Sequence, residues 1–146
     1  MTSPQTVLAF DFGLKRIGIA CGDTLTRQAT ARAAAAAHGG IPDWQAIARE
    51  VRALTPAVLI VGAPYNADGS EGTLLARARR FATELERRFA LPVQLVDERF
   101  SSLEAHQALK ARRASGRRGR IERADIDSAA AAVILGRWFQ GEGTGT

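Results

Sequence analysis

The chain has one cysteine, one methionine, one tyrosine and two histidines in 146 residues, and only two of its 20 basic residues are lysines, Lys15 and Lys110. A lone Cys21 excludes an internal disulfide and fits a reducing compartment. It has no cysteine or histidine partner at ligand spacing, so it is expected to be a small core residue. Long apolar runs are missing too. Nothing approaches the roughly 18 apolar residues of a membrane span, and the N-terminus lacks a basic-then-apolar signal. The chain is therefore expected to be cytoplasmic, without a membrane partner. His38 in a Gly-rich loop and His106 on an ordinary helix give no catalytic constellation.

What is present is arginine. Eighteen of the basic residues are Arg, the formal net charge is +5 and the pI is near 10.6, a balance that favours polyanionic partners. The guanidinium fork suits phosphate oxygens. The charge is concentrated: between Lys110 and Arg123 there are seven basic residues and one acid, Glu122, so this stretch carries +6 and the remainder is close to neutral. Such a segment binds phosphate without reading sequence. Being polar, Gly-containing and self-repelling, residues 112–123 are expected to form a flexible loop.

Residues 7–9 with Phe10 and Phe12 form an apolar run too short for a helix, hence a buried strand. The turn Gly13-Leu14-Lys15-Arg16 and residues 17–21 complete a hairpin. Residues 30–37 include six alanines, which favour helix by propensity, but the short antiparallel setting suits a third strand, which is the expectation. Residues 38–42 read as a loop. Asp43 caps a helix to about residue 54, with Trp44, Ile47, Val51 and Leu54 on one face. Residues 57–61 form a continuous apolar strand of the parallel, doubly covered kind. The turn-rich loop over 62–72 lacks the Lys-Ser/Thr ending of a P-loop and is expected to face substrate. A helix over 71–89 turns Leu74, Ala78, Phe81 and Leu85 inward, and residues 92–97 form the next strand. Ser101 and Glu104 make a capping box; a last helix spans 125–139, and residues 141–146 are an expected disordered tail. This order predicts one α/β domain over 1–146, ordered from about 5 to 140. Its mixed five-stranded sheet has antiparallel hairpin strands first and parallel strands after, with helices on both faces.

Three carboxylates sit where local structure explains them poorly. Asp11 interrupts the first strand, and a carboxylate inside a sheet is costly unless paired or bound to a metal. Glu98 stands at the C-terminal end of the 92–97 strand, the edge where α/β sheets commonly bind ligands. Asp127 lies near the start of the last helix, on the otherwise apolar stripe Asp127, Ala131, Ile134 and Trp138. Singly, each has a plain structural account: Asp11 paired with Lys15 or Arg16, Glu98 with Arg99, Asp127 as a helix cap. Together they can converge on a divalent cation. Hard cations such as Mg²⁺ or Mn²⁺ take oxygen ligands, and two of them about 4 Å apart can serve phosphodiester cleavage.

The segments Leu8-Ala9-Phe10-Asp11-Phe12-Gly13 and Lys15-Arg16-Ile17-Gly18-Ile19-Ala20 resemble the opening hairpin of the YqgF/RuvX family. Val61-Gly62-Ala63-Pro64 with Asp68-Gly69-Ser70-Glu71-Gly72 is similar to its central loop. Asp97-Glu98-Arg99-Phe100-Ser101-Ser102-Leu103-Glu104-Ala105 and Ile126-Asp127-Ser128-Ala129-Ala130 resemble its third and fourth blocks. The four blocks run in family order from residue 8 to about 139. The resemblance implies an RNase H-like fold related to the RuvC resolvases, and a nuclease that matures the 5′ end of pre-16S rRNA with Mg²⁺ or Mn²⁺. Asp11, Glu98 and Asp127 would be its catalytic and metal-binding acids, and neighbouring Asp97 is the possible substitute for Glu98. Lys15, Arg16, Arg99, Arg112, Arg113, Arg117, Arg118 and Arg120 are the candidate nucleic-acid contacts. The expected partner is structured or single-stranded RNA, with single-stranded or branched DNA as the second substrate, and the chain is either monomer or homodimer. The competing readings are a Holliday junction resolvase and a non-catalytic nucleic-acid adaptor. Sugar kinases and actin-like ATPases share an Asp-x-Gly hairpin, but 146 residues leave no room for their second lobe.

Overall fold

The computed structural model describes residues 4–63, 72–97 and 123–142. At its centre β1 (Thr6–Asp11) pairs antiparallel with β2 (Arg16–Asp23), Phe10 opposite Ile19 and Asp11 opposite Gly18. The Asp23 carboxylate then accepts hydrogen bonds from the amides of Leu25 and Thr26 at 2.9 and 2.8 Å. That tight turn sends the chain back along β2 as β3 (Ala29–His38). Here the ladder decides against the helix propensity of six alanines, as tertiary pairing regularly does.

The sheet has six strands where five were expected. The extra one is β4 (Ile41–Pro42), antiparallel to the end of β3. Gly39 and Gly40 both have positive φ, 59° and 86°, the backbone of a two-residue hairpin turn. What reads as a Gly-rich loop therefore folds back as a short strand.

On the other side of β1 lie two parallel strands, β5 (Val58–Ala63) and β6 (Val93–Asp97), so the sheet order is β4-β3-β2-β1-β5-β6. Helices cover both faces. On one, α1 (Trp44–Leu54) and α2 (Thr73–Phe89) pack Ile47, Ala78, Phe81 and Leu85 against Leu8, Phe10, Ile17 and Ile19. Asp43 caps α1, its Oδ1 accepting from the Ala46 amide at 3.2 Å. Along α2 the first fully buried leucine is Leu75; Leu74 is only partly buried. On the other face α3 (Arg123–Arg137) lays Ala131, Ile134 and Leu135 on Val7, Ala9, Ala20, Ile60 and Val96. The chain then tightens into a π-helical turn, Trp138–Glu142, in which Gly141 leaves the helical backbone with φ 89°. Arg123, expected in the basic loop, opens α3.

Candidate active site

The site is built from the two-residue alternation of β2 and β1. On β2, Ile17 and Ile19 face α1 and α2, while Gly18, Ala20 and Gly22 face α3. These small residues let α3 descend onto the sheet. The approach is closest at Gly18, where an added Cβ would lie 2.0 Å from the Asp127 carbonyl oxygen and 2.8 Å from the Ser128 nitrogen. At the same point the β2–β3 register shifts, and the Ile19 amide donates to the buried Ser128 hydroxyl at 3.4 Å.

Gly18 is also the partner of Asp11 across the ladder. On β1, Val7 and Ala9 belong to the layer under α3, so alternation puts half-buried Asp11 on that same face. One glycine thus has Asp11 beside it in the sheet and Asp127 above it on the helix, although 116 positions separate the two acids in the chain. Arg16 shares the face as well. Its Nε donates to Asp127 Oδ2 at 2.9 Å, with the two side chains 30% and 29% exposed. Arg16 was expected at phosphate or beside Asp11; in the structure its Nε is committed to Asp127. Lys15 is exposed at the hairpin turn.

At the far edge, β6 sends Gln94 and Val96 toward α3: Gln94 Oε1 accepts from the Trp138 indole at 2.7 Å, and Val96 packs with Ile134. Val93 and Leu95 belong to the opposite layer. Asp97 follows their parity and so lies on the face away from Asp127, while its carbonyl accepts from Arg137 Nη1 at 3.0 Å. Between β1 and β6, β5 alternates likewise, with Val58 and Ile60 under α3, which assigns Gly62 to the Asp11 face with no side chain to fill the space. Among the described residues no three His, Cys, Asp or Glu side chains gather as a metal-binding group. Glu98, Arg99, Arg112, Arg113, Arg117, Arg118 and Arg120, the capping box at Ser101 and Glu104, most of the loop over 62–72 and residues 143–146 lie outside the described residues.

Gly18, Gly22 and Ser128 carry the approach of helix to sheet, and sequence reasoning gave them no role. A signal existed: the small residues Gly18, Ala20 and Gly22 recur at every second position of β2.

The model of one family, RuvX, described as a Holliday junction resolvase, matches residues 5–141. The chain belongs to the RuvX family. A RuvX relative from Edwardsiella ictaluri is 42% identical over 140 residues, covering 96% of this chain and 98% of its own. One from Coxiella burnetii is 46% identical over 134 residues, covering 91% of each. Both are named "Putative pre-16S rRNA nuclease". Among solved structures, Thermus thermophilus RuvC in complex with a Holliday junction substrate superposes with a TM-score of 0.54 at 14% identity, covering 94% of each chain. The yeast mitochondrial Holliday junction resolvase gives 0.52 at 10% identity, covering 93% of this chain and 78% of its own. This RuvX chain therefore has the RNase H-like fold of the RuvC resolvases. No helix among the described residues is long and apolar enough to cross a membrane.

Proposed function

We propose that this RuvX chain is a divalent-metal-dependent nuclease of the cytoplasm that cleaves phosphodiester bonds at the 5′ end of pre-16S rRNA. The observation that supports it most is that Asp11 and the backbone of Asp127 both adjoin Gly18, on one face at the C-terminal edge of β1. Carboxylate oxygens are the donors that hard cations prefer, so the pair fits Mg²⁺ or Mn²⁺ as part of a ligand set. Glu98 is the third acid of the proposal. Val96, two positions before Glu98 in the chain, packs under α3, and the side-chain-free Gly62 pairs with Val96 across the sheet. When bound, a divalent cation supplies Lewis acidity for hydrolysis of the phosphodiester.

The chain's own residues do the rest. Asp11 and Asp127 hold fixed negative oxygens at the strand edge. Arg16 fixes the orientation of Asp127 through Nε, which leaves its other guanidinium donors for a phosphate oxygen. Arg99 and the Lys110–Arg123 stretch supply the positive charge that retains a polyanion. The names of the relatives favour RNA; the family description and the RuvC likeness favour a four-way junction as the second reading.

The test is cleavage of labelled 16S 5′-precursor RNA, single-stranded DNA and a four-way junction in Mg²⁺, Mn²⁺ or chelator. RNA cleavage is expected with either ion and not in chelator. Asp11→Asn, Glu98→Gln and Asp127→Asn should each lower it by orders of magnitude, about 100-fold or more, whereas Asp97→Asn retains it. Cleavage undiminished in all three single variants overturns the hydrolytic reading in favour of an adaptor. Preferential cutting of the junction replaces the RNA reading with the resolvase.

A further inference from the structure

On the face of the sheet away from Asp127, a cleft of about 330 Å³ opens beside the same strand edge, and the proposed function does not use it. Its walls are the β3–β4 hairpin (Gly39, Gly40, Ile41, Pro42), the rings of Phe12, Trp44 and Phe81, and the α2 side chains Arg77, Arg80 and Glu84. Phe12 directly follows Asp11, so the two sites are separated by about 3.8 Å of backbone and by the thickness of one sheet.

The hairpin wall is apolar and open, with Ile41 71% exposed at its tip. Behind it Trp44 stacks on Phe81 with ring centroids 5.6 Å apart, and Phe81 meets Phe12 at 5.3 Å. The α2 wall is cationic. Arg77 spans to the hairpin, its Nη1 donating to the Gly39 carbonyl at 3.2 Å. Arg80, one turn along and exposed, makes no ion pair among the described residues. Glu84 does not offset it: its carboxylate is occupied by Arg87 and Arg88, and the Arg87 hydrogen bond first of all holds it below the usual carboxylate range.

An apolar wall facing a guanidinium that makes no ion pair among the described residues matches a nucleotide, base on one side and phosphate on the other. The volume lies at the small end of ligand sites, the scale of one nucleotide rather than a helix. We propose that this cleft binds a single unpaired nucleotide of the substrate strand adjacent to the scissile phosphate, with its base against Ile41 and Pro42, beside the Trp44 ring that Phe81 and Arg88 cover, and its phosphate at Arg80. The inference rests on the nuclease reading and deepens it: a strand crossing the edge at Asp11 would be held on both faces of β1.

The test is titration of the ¹⁵N-labelled full chain with single-stranded pentauridylate in chelator, read by amide and indole shifts. Shifts at Gly39, Gly40, Ile41 and the Trp44 indole are expected. Arg80→Glu, at an exposed site, should weaken the binding read at those signals by about tenfold, and Ile41→Ser should weaken it too. Shifts that spare the hairpin and Trp44, or an unchanged affinity in Arg80→Glu, overturn the proposal. The readout needs no cleavage. Binding in the cleft without nuclease activity would fail the proposed function alone, and cleavage without cleft shifts would fail this inference alone.

Discussion

Arg16 and Asp127, 111 positions apart, are joined by a 2.9 Å hydrogen bond from Nε to Oδ2 across the junction of β2 and α3. Half-exposed ion pairs of this kind are worth about 1 kcal/mol or less, so the bond orients Asp127 more than it stabilises the fold. It also means that a cation seeking Asp127 meets a guanidinium already there.

Arg16→Gln should therefore tighten Mn²⁺ binding by about three- to fivefold, the equivalent of that pair energy. Mn²⁺ at about 100 times its Kd should stabilise the wild type by about 2.7 kcal/mol and Asp11→Asn far less. Thermal unfolding over a Mn²⁺ series reads both effects. Equal shifts in wild type and Asp11→Asn would remove Asp11 from the cation site. Unchanged affinity in Arg16→Gln would show that guanidinium and cation do not compete.

Two glycines make a paired test of how α3 is seated. Gly18→Ala drives a methyl into the Asp127 carbonyl and should cost about 1–3 kcal/mol or more. Gly136→Ala meets nothing within 4 Å inside α3 and should stabilise by about 0.5–1 kcal/mol. Urea denaturation of both variants checks the pair. A neutral Gly18→Ala would mean that the helix is free to ride up off the sheet.

Much of this arrangement was legible in the sequence because it is periodic. The apolar runs gave β1, β2, β5 and β6, and the stripe Ala131 and Ile134 gave the buried face of α3. The acid at its start and the acid in β1 stood out as breaks in those periods. What was not legible is non-local. The Ala-rich segment becomes a strand only because the turn at Asp23 lays it beside β2, and β4 exists only through two consecutive positive-φ glycines. The Arg16–Asp127 bond depends on where α3 lands, which no window of the sequence contains.

The basic stretch should act through charge alone. Replacing Arg112, Arg113, Arg117 and Arg118 with Ser is expected to weaken binding to unrelated single strands equally. The log–log salt slope should become shallower by about 0.7 for each phosphate that is no longer neutralised. Filter binding between low and physiological salt measures it. An unchanged slope would assign these arginines to solvated surface.

Cys21 faces Arg32 and Glu50, which pair with each other at 2.9 Å. Burial raises its thiol pKa, partly countered by the Arg32 charge. A raised pKa means less thiolate at a given pH, and thiolate is the nucleophile. Iodoacetamide at pH 8 should therefore label the native chain more slowly than the urea-unfolded chain. Equal rates would place the thiol in water.

The neighbouring side chains Asp11 and Phe12 leave β1 in opposite directions, one toward α3 and the other into the ring cluster around Phe81. A strand of this kind tolerates exchanges of similar residues but not a change of length. Deleting one residue between Val7 and Phe10 would slip the frame by one, turning the carboxylate into the aromatic layer and the phenyl ring out toward the helix. Natural variation in this segment should therefore consist of substitutions, with gaps confined to the turns at either end.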